Sequence, residues 1–347
     1  MKHQEVVIST PGSVELRPAD LPAMGPGQVS VRTLASGISP GTELLAYRGE
    51  LPRPDPEDAE IDPNASTGEY PMPTGYCSVG IVEEIGNHVD AAWKGRRVFG
   101  FLPHATGAVV EPGRLIPLPD RLSAELATFI PNLETAIGLV MDARPMLGER
   151  VVVIGQGIVG LLVTRLLARH PLGLLATLDR MPARRARSMA SGADLAIDPE
   201  SLIDRDMLNA RMSGEHAGAD LVIELSGNPD ALNDAIALAG YGGRIVAGSW
   251  YGSKPASLDL GGRFHRNRIT LISSQVSTIG PDLSARWSKT RRMESVLRLL
   301  PELELDSLIT HRFGIENVAD AFTLLDTRPG DTMQIILTCD EQTNGEP

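Results

Sequence analysis

Val151-Val152-Val153-Ile154-Gly155-Gln156-Gly157-Ile158-Val159-Gly160 decides the fold. Its first four residues are apolar and β-branched, the composition of a strand buried on both faces. They lead into Gly155-x-Gly157-x-x-Gly160, and residues 161–170 then carry a helical pattern. In such a strand–turn–helix the first glycine permits the tight turn. The second lets a pyrophosphate approach the backbone, and the third lets the helix pack closely on the strand. The helix start offers N–H groups and a positive dipole end to phosphate. Gly155, Gln156, Gly157, Ile158, Val159 and Gly160 are therefore the expected cofactor cradle. Three glycines alone are weak evidence, but Asp179 closes a second apolar run at 174–178. A carboxylate about twenty positions downstream is where adenosine ribose hydroxyls are bound. Gln156, Arg165 and the glycines argue against a membrane span over 151–168. A Rossmann-like core that binds no nucleotide is the other reading.

Outward from this unit the chain alternates strand and helix. Strands are expected at 174–178, 195–197, 220–225, 244–248 and 269–273, with helices at 183–191 and 230–239. This alternation predicts an α/β fold with a doubly wound parallel sheet and right-handed crossovers. Upstream, residues 5–9, 13–16, 29–35, 75–85 and 97–101 read as short strands in a loop-rich setting. Residues 51–73 read as a long proline-rich and acidic loop. Ser123 is a helix N-cap, and a second helical segment covers 132–143. Two amphipathic helices, 293–300 and 315–325, and a strand at 334–337 close the chain. The domains expected are 1–124, 125–277 and 278–347, the last returning to the first.

The chain has 347 residues, 42% of them apolar and 22% charged, with 32 basic against 44 acidic side chains and a net charge of −12. That is the composition of a globular protein large enough for two domains. No basic patch stands out to hold phosphates, which argues against a nucleic acid partner. The start, Met1 to Val6, lacks a signal peptide's apolar run, so a cytoplasmic protein with no membrane association is expected. The two cysteines, Cys77 and Cys339, are too few for a structural zinc site and are expected as free thiols.

The layout resembles the medium-chain dehydrogenase/reductase superfamily over essentially its full length. The resemblance rests on Gly37-Ile38-Ser39-Pro40-Gly41-Thr42-Glu43, on Gly75-Tyr76-Cys77-Ser78-Val79-Gly80-Ile81-Val82, on the glycine turn, on Glu224-Leu225-Ser226-Gly227 and on Gly242-Gly243-Arg244-Ile245-Val246. It looks closest to a zinc-lacking branch of alcohol-dehydrogenase-like proteins, through Pro131-Asn132-Leu133-Glu134-Thr135-Ala136, Ser249-Trp250-Tyr251-Gly252 and Phe264-His265-x-x-Arg268. The Ser-Gly-Ile-Ser run is also similar to bacteriochlorophyllide dehydrogenases. The resemblance implies a Rossmann domain inserted into a GroES-like β-rich catalytic domain, with a nicotinamide cofactor and a substrate held between the domains. It also implies a homodimer formed by pairing strands near 271–276. It adds Ser226, Gly227, Gly248 and Thr135 to the expected cofactor-binding residues.

Departures from the zinc-dependent pattern are specific. Ser39 stands where those members place a cysteine, and Gly75-Tyr76-Cys77 replaces their Gly-His-Glu. No side chain suited to a third ligand stands at Pro131 itself, Cys77 and the nearby Glu134 do not supply the set, and the four-cysteine lobe is missing. Catalytic zinc needs three protein ligands and an open position, so no metal is expected. Hydride transfer at a carbonyl still needs an oxyanion stabiliser and a proton carrier. Tyr76, Thr42 and Ser39 are the candidate catalytic residues, although Tyr76 also reads as a packing tyrosine and Ser39 as a turn residue. His104, Trp250, Tyr251 and His265 are candidate substrate contacts, with loop or core packing as the alternative for each.

Asp179 argues for NAD(H), because its carboxylate would repel a 2′-phosphate. Arg180, Arg184 and Arg185 keep NADP(H) open. The expected function is a zinc-independent, NAD(H)-preferring oxidoreductase interconverting a secondary alcohol and a ketone or aldehyde on a small or natural-product-like molecule. The alternatives are an NADPH-dependent enoyl or quinone reductase, a redox-neutral enzyme with retained NAD, and a nucleotide-sensing protein without catalysis. The acidic residues Asp55, Glu57, Asp58, Glu60 and Asp62 suggest a cleft wall suited to a neutral or cationic substrate.

Overall fold

A computed structural model describes residues 3–52 and 69–339. The five acidic residues read as a cleft wall lie outside the described residues. The chain forms two compact units, Met1–Pro131 with Leu297–Pro347, and Asn132–Val296.

The second unit is built on a six-stranded sheet. Its order is Leu195–Ile197, Leu174–Leu178, Arg150–Ile154, Ala219–Glu224, Ala239–Ala247 and Thr270–Ser273. All five pairings are parallel. The order reverses at Arg150–Ile154, so the switch point of a doubly wound sheet falls at the strand that carries the glycine turn. Val151, Val152 and Val153 are fully buried. Val152 and Ile154 join Leu174, Ala176, Leu178, Val222 and Ile245 in one apolar cluster, as the unbroken β-branched run requires.

Two details of the helices differ from the sequence reading. The first crossover helix is Ile158–Leu167, starting three residues early, because Gly157 is its N-cap and Ile158 already packs inward. The helix Leu202–Arg211 was not foreseen. Its apolar Leu202 and Ile203 face outward, while Leu208 is buried, so its pattern lacks a clear apolar stripe.

The first unit centres on a seven-stranded sheet, with Val29–Ile38 pairing antiparallel to Ser78–Ile85, Gly107–Val110 and Gln334–Thr338. A smaller sheet joins Ser13–Pro18, Gln4–Thr10 and Met72–Pro73. Gly107–Val110, Leu115–Pro117 and Ile309–Gly314 are strands the sequence reading lacks. Each is short, and Ile309–Gly314 buries only its first residue, too little for a period-two signal. The strand expected from residue 75 begins instead at Ser78. Gly75 has φ of +95°, outside the strand region. Ser123 caps the helix Ala124–Ala127, its hydroxyl accepting from the Leu126 N–H at 3.1 Å. Among the described residues, no helix is long and apolar enough to cross a membrane.

Candidate functional site

The glycine turn is shaped by close approach. Gly155 has φ of +89°, and a Cβ there would fall 2.6 Å from the Leu225 carbonyl and the Ser226 nitrogen. A Cβ on Gly160 would fall 2.0 Å from the Gly155 oxygen, so the helix can seat against the turn only without a side chain. At Gly157 the nearest heavy atom to a built Cβ is Arg184 Nη1 at 3.9 Å, and no side chain caps the helix there. An open, uncapped N-terminus of a ten-residue helix fits a pyrophosphate. Gln156, by contrast, is fully buried and structural. Its Oε1 accepts from the Thr164 hydroxyl at 3.0 Å, and its Nε2 donates to the Gly155 carbonyl at 3.1 Å.

Asp179 lies at the end of Leu174–Leu178 with its side chain 8% exposed. Its carboxylate accepts from the N–H of Gln156 at 2.8 Å and from that of Met181 at 2.8 Å. These bonds hold it beside the glycine turn. The three arginines separate. Arg184 approaches Asp179 at 3.9 Å, and burial pulls its guanidinium pKa down, opposed by the charge of Asp179. Arg185 pairs with Asp198 at 3.0 Å and caps the carbonyls of Asp179 and Arg180. Arg180 is exposed, 3.8 Å from Glu200.

At the end of Ala219–Glu224, the Glu224 carboxylate is fully buried. It accepts from the N–H and hydroxyl of Ser226 and from the phenol of Tyr251. Burial, followed by the Glu224 hydrogen bond and charge, pushes the Tyr251 pKa far up. Tyr251 also packs on the core of this unit, so its hydroxyl is committed to Glu224. Gly227, with its N–H on the Ser249 hydroxyl at 2.9 Å, completes the turn. Gly248 is a packing glycine, since a Cβ there would meet Leu139 Cδ2 at 2.3 Å. Thr135 is half-buried on the helix Ile130–Ala143. Trp250 and His265 are exposed.

In the first unit, Tyr76, Ser39 and Thr42 come together. The Tyr76 phenol donates to Ser39 Oγ at 2.7 Å and also hydrogen-bonds Thr42. Burial, against the lowering effect of the Ser39 bond, pushes the phenol up to about 12. Beneath them lies a chain of buried polar side chains. Ser36 Oγ is 2.5 Å from His104 Nδ1, and His104 Nε2 is 2.7 Å from Glu43 Oε2. Ser36 and His104 are fully buried and Glu43 is 3% exposed. The other Glu43 oxygen accepts from the Ser39 N–H at 2.8 Å. His104, read as a substrate contact, therefore sits inside this unit with both ring nitrogens engaged. Ser36 was not foreseen as part of this group. Its signal was its place on the inward face of Val29–Ile38, which resembles ordinary core.

A family model described as zinc-binding dehydrogenase matches residues 159–294. The chain is 26% identical over 288 residues to the D-guloside 3-dehydrogenase of Escherichia coli K12, covering 79% of this chain and 81% of the relative. It is 27% identical over 361 residues to the L-threonine 3-dehydrogenase of Pyrococcus horikoshii, covering 95% and 97%. Among solved structures, it superposes on the alcohol dehydrogenase rspB of E. coli CFT073, complexed with NADH, with a TM-score of 0.76. That pair is 21% identical, over 97% of this chain and 100% of that one. A Sinorhizobium meliloti 1021 protein bound to NADP gives a TM-score of 0.76 at 19% identity, over 97% and 99%. These likenesses support the medium-chain dehydrogenase/reductase superfamily.

In this chain, the side chains at the positions compared with zinc ligands are engaged in other bonds. Ser39 and Tyr76 bond each other. The Cys77 thiol donates to the Thr128 carbonyl at 3.3 Å, and burial pushes it up to about 12. Glu134, the acidic group nearest the third position in sequence, is bonded to Arg292 Nη2 at 2.7 Å. Among the described residues, no group of three or more His, Cys, Asp or Glu side chains is placed to hold a metal ion. The donor set does not fit catalytic zinc.

Proposed function

We propose that this protein is a zinc-independent, NAD(H)-preferring oxidoreductase that interconverts a secondary alcohol and a ketone or aldehyde. The observation that carries the reading is the Tyr76–Ser39 hydrogen bond at positions where zinc-dependent relatives place metal ligands. Because Tyr76 donates to Ser39 Oγ, the Ser39 hydrogen is directed to a third atom. The pair can therefore donate to a carbonyl oxygen as it gains charge, and return the proton by the same path in the oxidative direction. Thr42, bonded to the same phenol, keeps its orientation.

A bound nicotinamide would supply or accept the hydride. The chain's own part is to hold the pyrophosphate at the start of Ile158–Leu167 and the adenosine ribose at Asp179. Its carboxylate beside the turn supports NAD(H), because a 2′-phosphate would meet that negative charge. The names of the curated relatives, dehydrogenases of a guloside and of threonine, support an alcohol or sugar-like substrate. A homodimer through the edge strand Thr270–Ser273, where Leu271 is 39% exposed, and a cytoplasmic setting without nucleic acid or membrane partners complete the proposal.

The test is a screen of secondary alcohols with NAD and ketones with NADH, in protein whose zinc content is measured. Turnover in metal-free protein that fails in Tyr76→Phe supports the reading. Stoichiometric zinc lost when Cys77 is changed, or near-normal turnover by Tyr76→Phe, rejects it.

A further inference from the structure

The hydrogens of the buried chain can be assigned from its acceptors. The Cys77 carbonyl lies 2.5 Å from Ser36 Oγ and has no hydrogen to give, so the Ser36 hydroxyl donates to it. Ser36 Oγ must then receive from His104 Nδ1, 2.5 Å away on its other side, which places a proton on Nδ1. One further proton lies between His104 Nε2 and Glu43 Oε2, 2.7 Å apart. Whichever of the two atoms carries it, the pair holds two protons. A serine nucleophile has the opposite polarity, its hydroxyl donating to the imidazole. Ser36 is therefore not activated, and the chain serves another purpose.

Three contacts of the His104 ring lead to the same hydrogen bond. Through Glu43 it holds the Ser39 N–H. Through Ser36 it holds the carbonyl of Cys77, the residue after Tyr76. Its face covers Gly75, the residue before Tyr76, where a Cβ would fall 2.5 Å from the ring carbons Cγ and Cδ2. We propose that His104 is a positioning residue for the Tyr76–Ser39 pair, its doubly bonded ring fixing the backbone on both sides of that hydrogen bond. The proposal rests on reading the pair as the proton donor, so its test reads hydrogen bonding rather than turnover.

The titratable groups around the ring are Glu43, and beyond it Tyr76 and Cys77, both pushed up to about 12 by burial. The strand Gln4–Thr10 gives the Val6 N–H to the His104 carbonyl, and its Glu5 pairs with the neighbouring Ala105. The full chain labelled with ¹⁵N-histidine and ¹³Cζ-tyrosine is followed by NMR. The expected result is one slowly exchanging downfield Nδ1 proton on His104. The Tyr76 Cζ resonance, assigned with Tyr76→Phe, shifts in His104→Asn and in the milder Ser36→Ala, while those of Tyr241 and Tyr251 stay in place. A His104 ring whose Nδ1 carries no proton overturns the proposal in the unmodified protein. So does a Tyr76 resonance unmoved by both variants. Turnover of Tyr76→Phe, measured separately, decides the functional reading, so either can fail alone.

Discussion

The phenol of Tyr76 donates to the Ser39 hydroxyl at 2.7 Å, and in the proposed reaction the two side chains act as one proton path. Removing either end breaks the path. General acid–base groups typically contribute about 10²–10⁴-fold, so Tyr76→Phe and Ser39→Ala are each expected to lower kcat at least about 10²-fold. The double variant is expected to lose little more than either single one, because the residues act as a unit. NADH affinity, measured by nicotinamide fluorescence, is expected to stay unchanged. Additive losses in kcat would show that the residues act separately.

Asp179 faces the glycine turn through its bond to the Gln156 N–H, with Arg184 close by. Replacing the carboxylate removes a charge-assisted acceptor for the ribose and a repulsive charge for a 2′-phosphate. Asp179→Asn is expected to weaken NADH by about ten- to a hundredfold, in keeping with the roughly 1.5–3 kcal/mol carried by hydrogen bonds to charged groups. NADPH is expected to bind more tightly, with Arg184 freed to meet the phosphate. Paired fluorescence titrations check this, and an unchanged NADH/NADPH ratio would count against NAD(H) selection at Asp179.

Alkaline pH should weaken the first unit. Burial raises Cys77 from 9.0 to about 12 and Tyr76 from 10.0 to about 12. Between those values the folded chain keeps protons that the unfolded chain has released, so stability falls as pH rises. The contribution is complete below pH 9 and is lost towards pH 12. For Cys77 alone the slope approaches about 1.4 kcal/mol per pH unit. Denaturant midpoints measured from pH 8 to 11 are expected to decline less steeply in Cys77→Ala, and an equal slope would place the thiol in a solvated setting.

The dinucleotide unit was legible because its information is local. A β-branched strand, three spaced glycines and a following acidic residue each answer to one physical demand, and all lie within a short stretch of chain. The Tyr76–Ser39 pair was legible in part, through the motif positions it occupies. The buried chain beneath it was not. Ser36, Glu43, Gly75 and His104 are joined by contacts across as many as 68 residues, and each alone reads as a core, loop or turn residue. The tie between Tyr251 and Glu224 was hidden for the same reason. Tyr251, read as a substrate contact, and Glu224, read as part of a family motif, proved to be hydrogen-bonded to each other. Short strands such as Gly107–Val110 escaped because they are too short to show a period.

Glu134 and Arg292 form a buried ion pair whose behaviour separates a structural carboxylate from a metal ligand. Arg292 Nη2 lies 2.7 Å from Glu134 Oε1, and its guanidinium also donates to the carbonyls of Val276 and Thr278. The two side chains are 10% and 2% exposed. Removing one partner strands a buried charge, which typically costs about 3–5 kcal/mol. Glu134→Gln and Arg292→Met are each expected to lower the denaturant midpoint accordingly. An apolar pair of similar volume, Glu134→Leu with Arg292→Met, is expected to recover most of the loss, because the desolvation cost of both charges disappears together. A carboxylate that served zinc would behave differently. Its loss would change metal content, and Arg292→Met would then have no reason to rescue Glu134→Leu. Recovery in the double variant with unchanged metal content is the expected outcome, and it would place Glu134 in the scaffold of the dinucleotide unit rather than in the reaction.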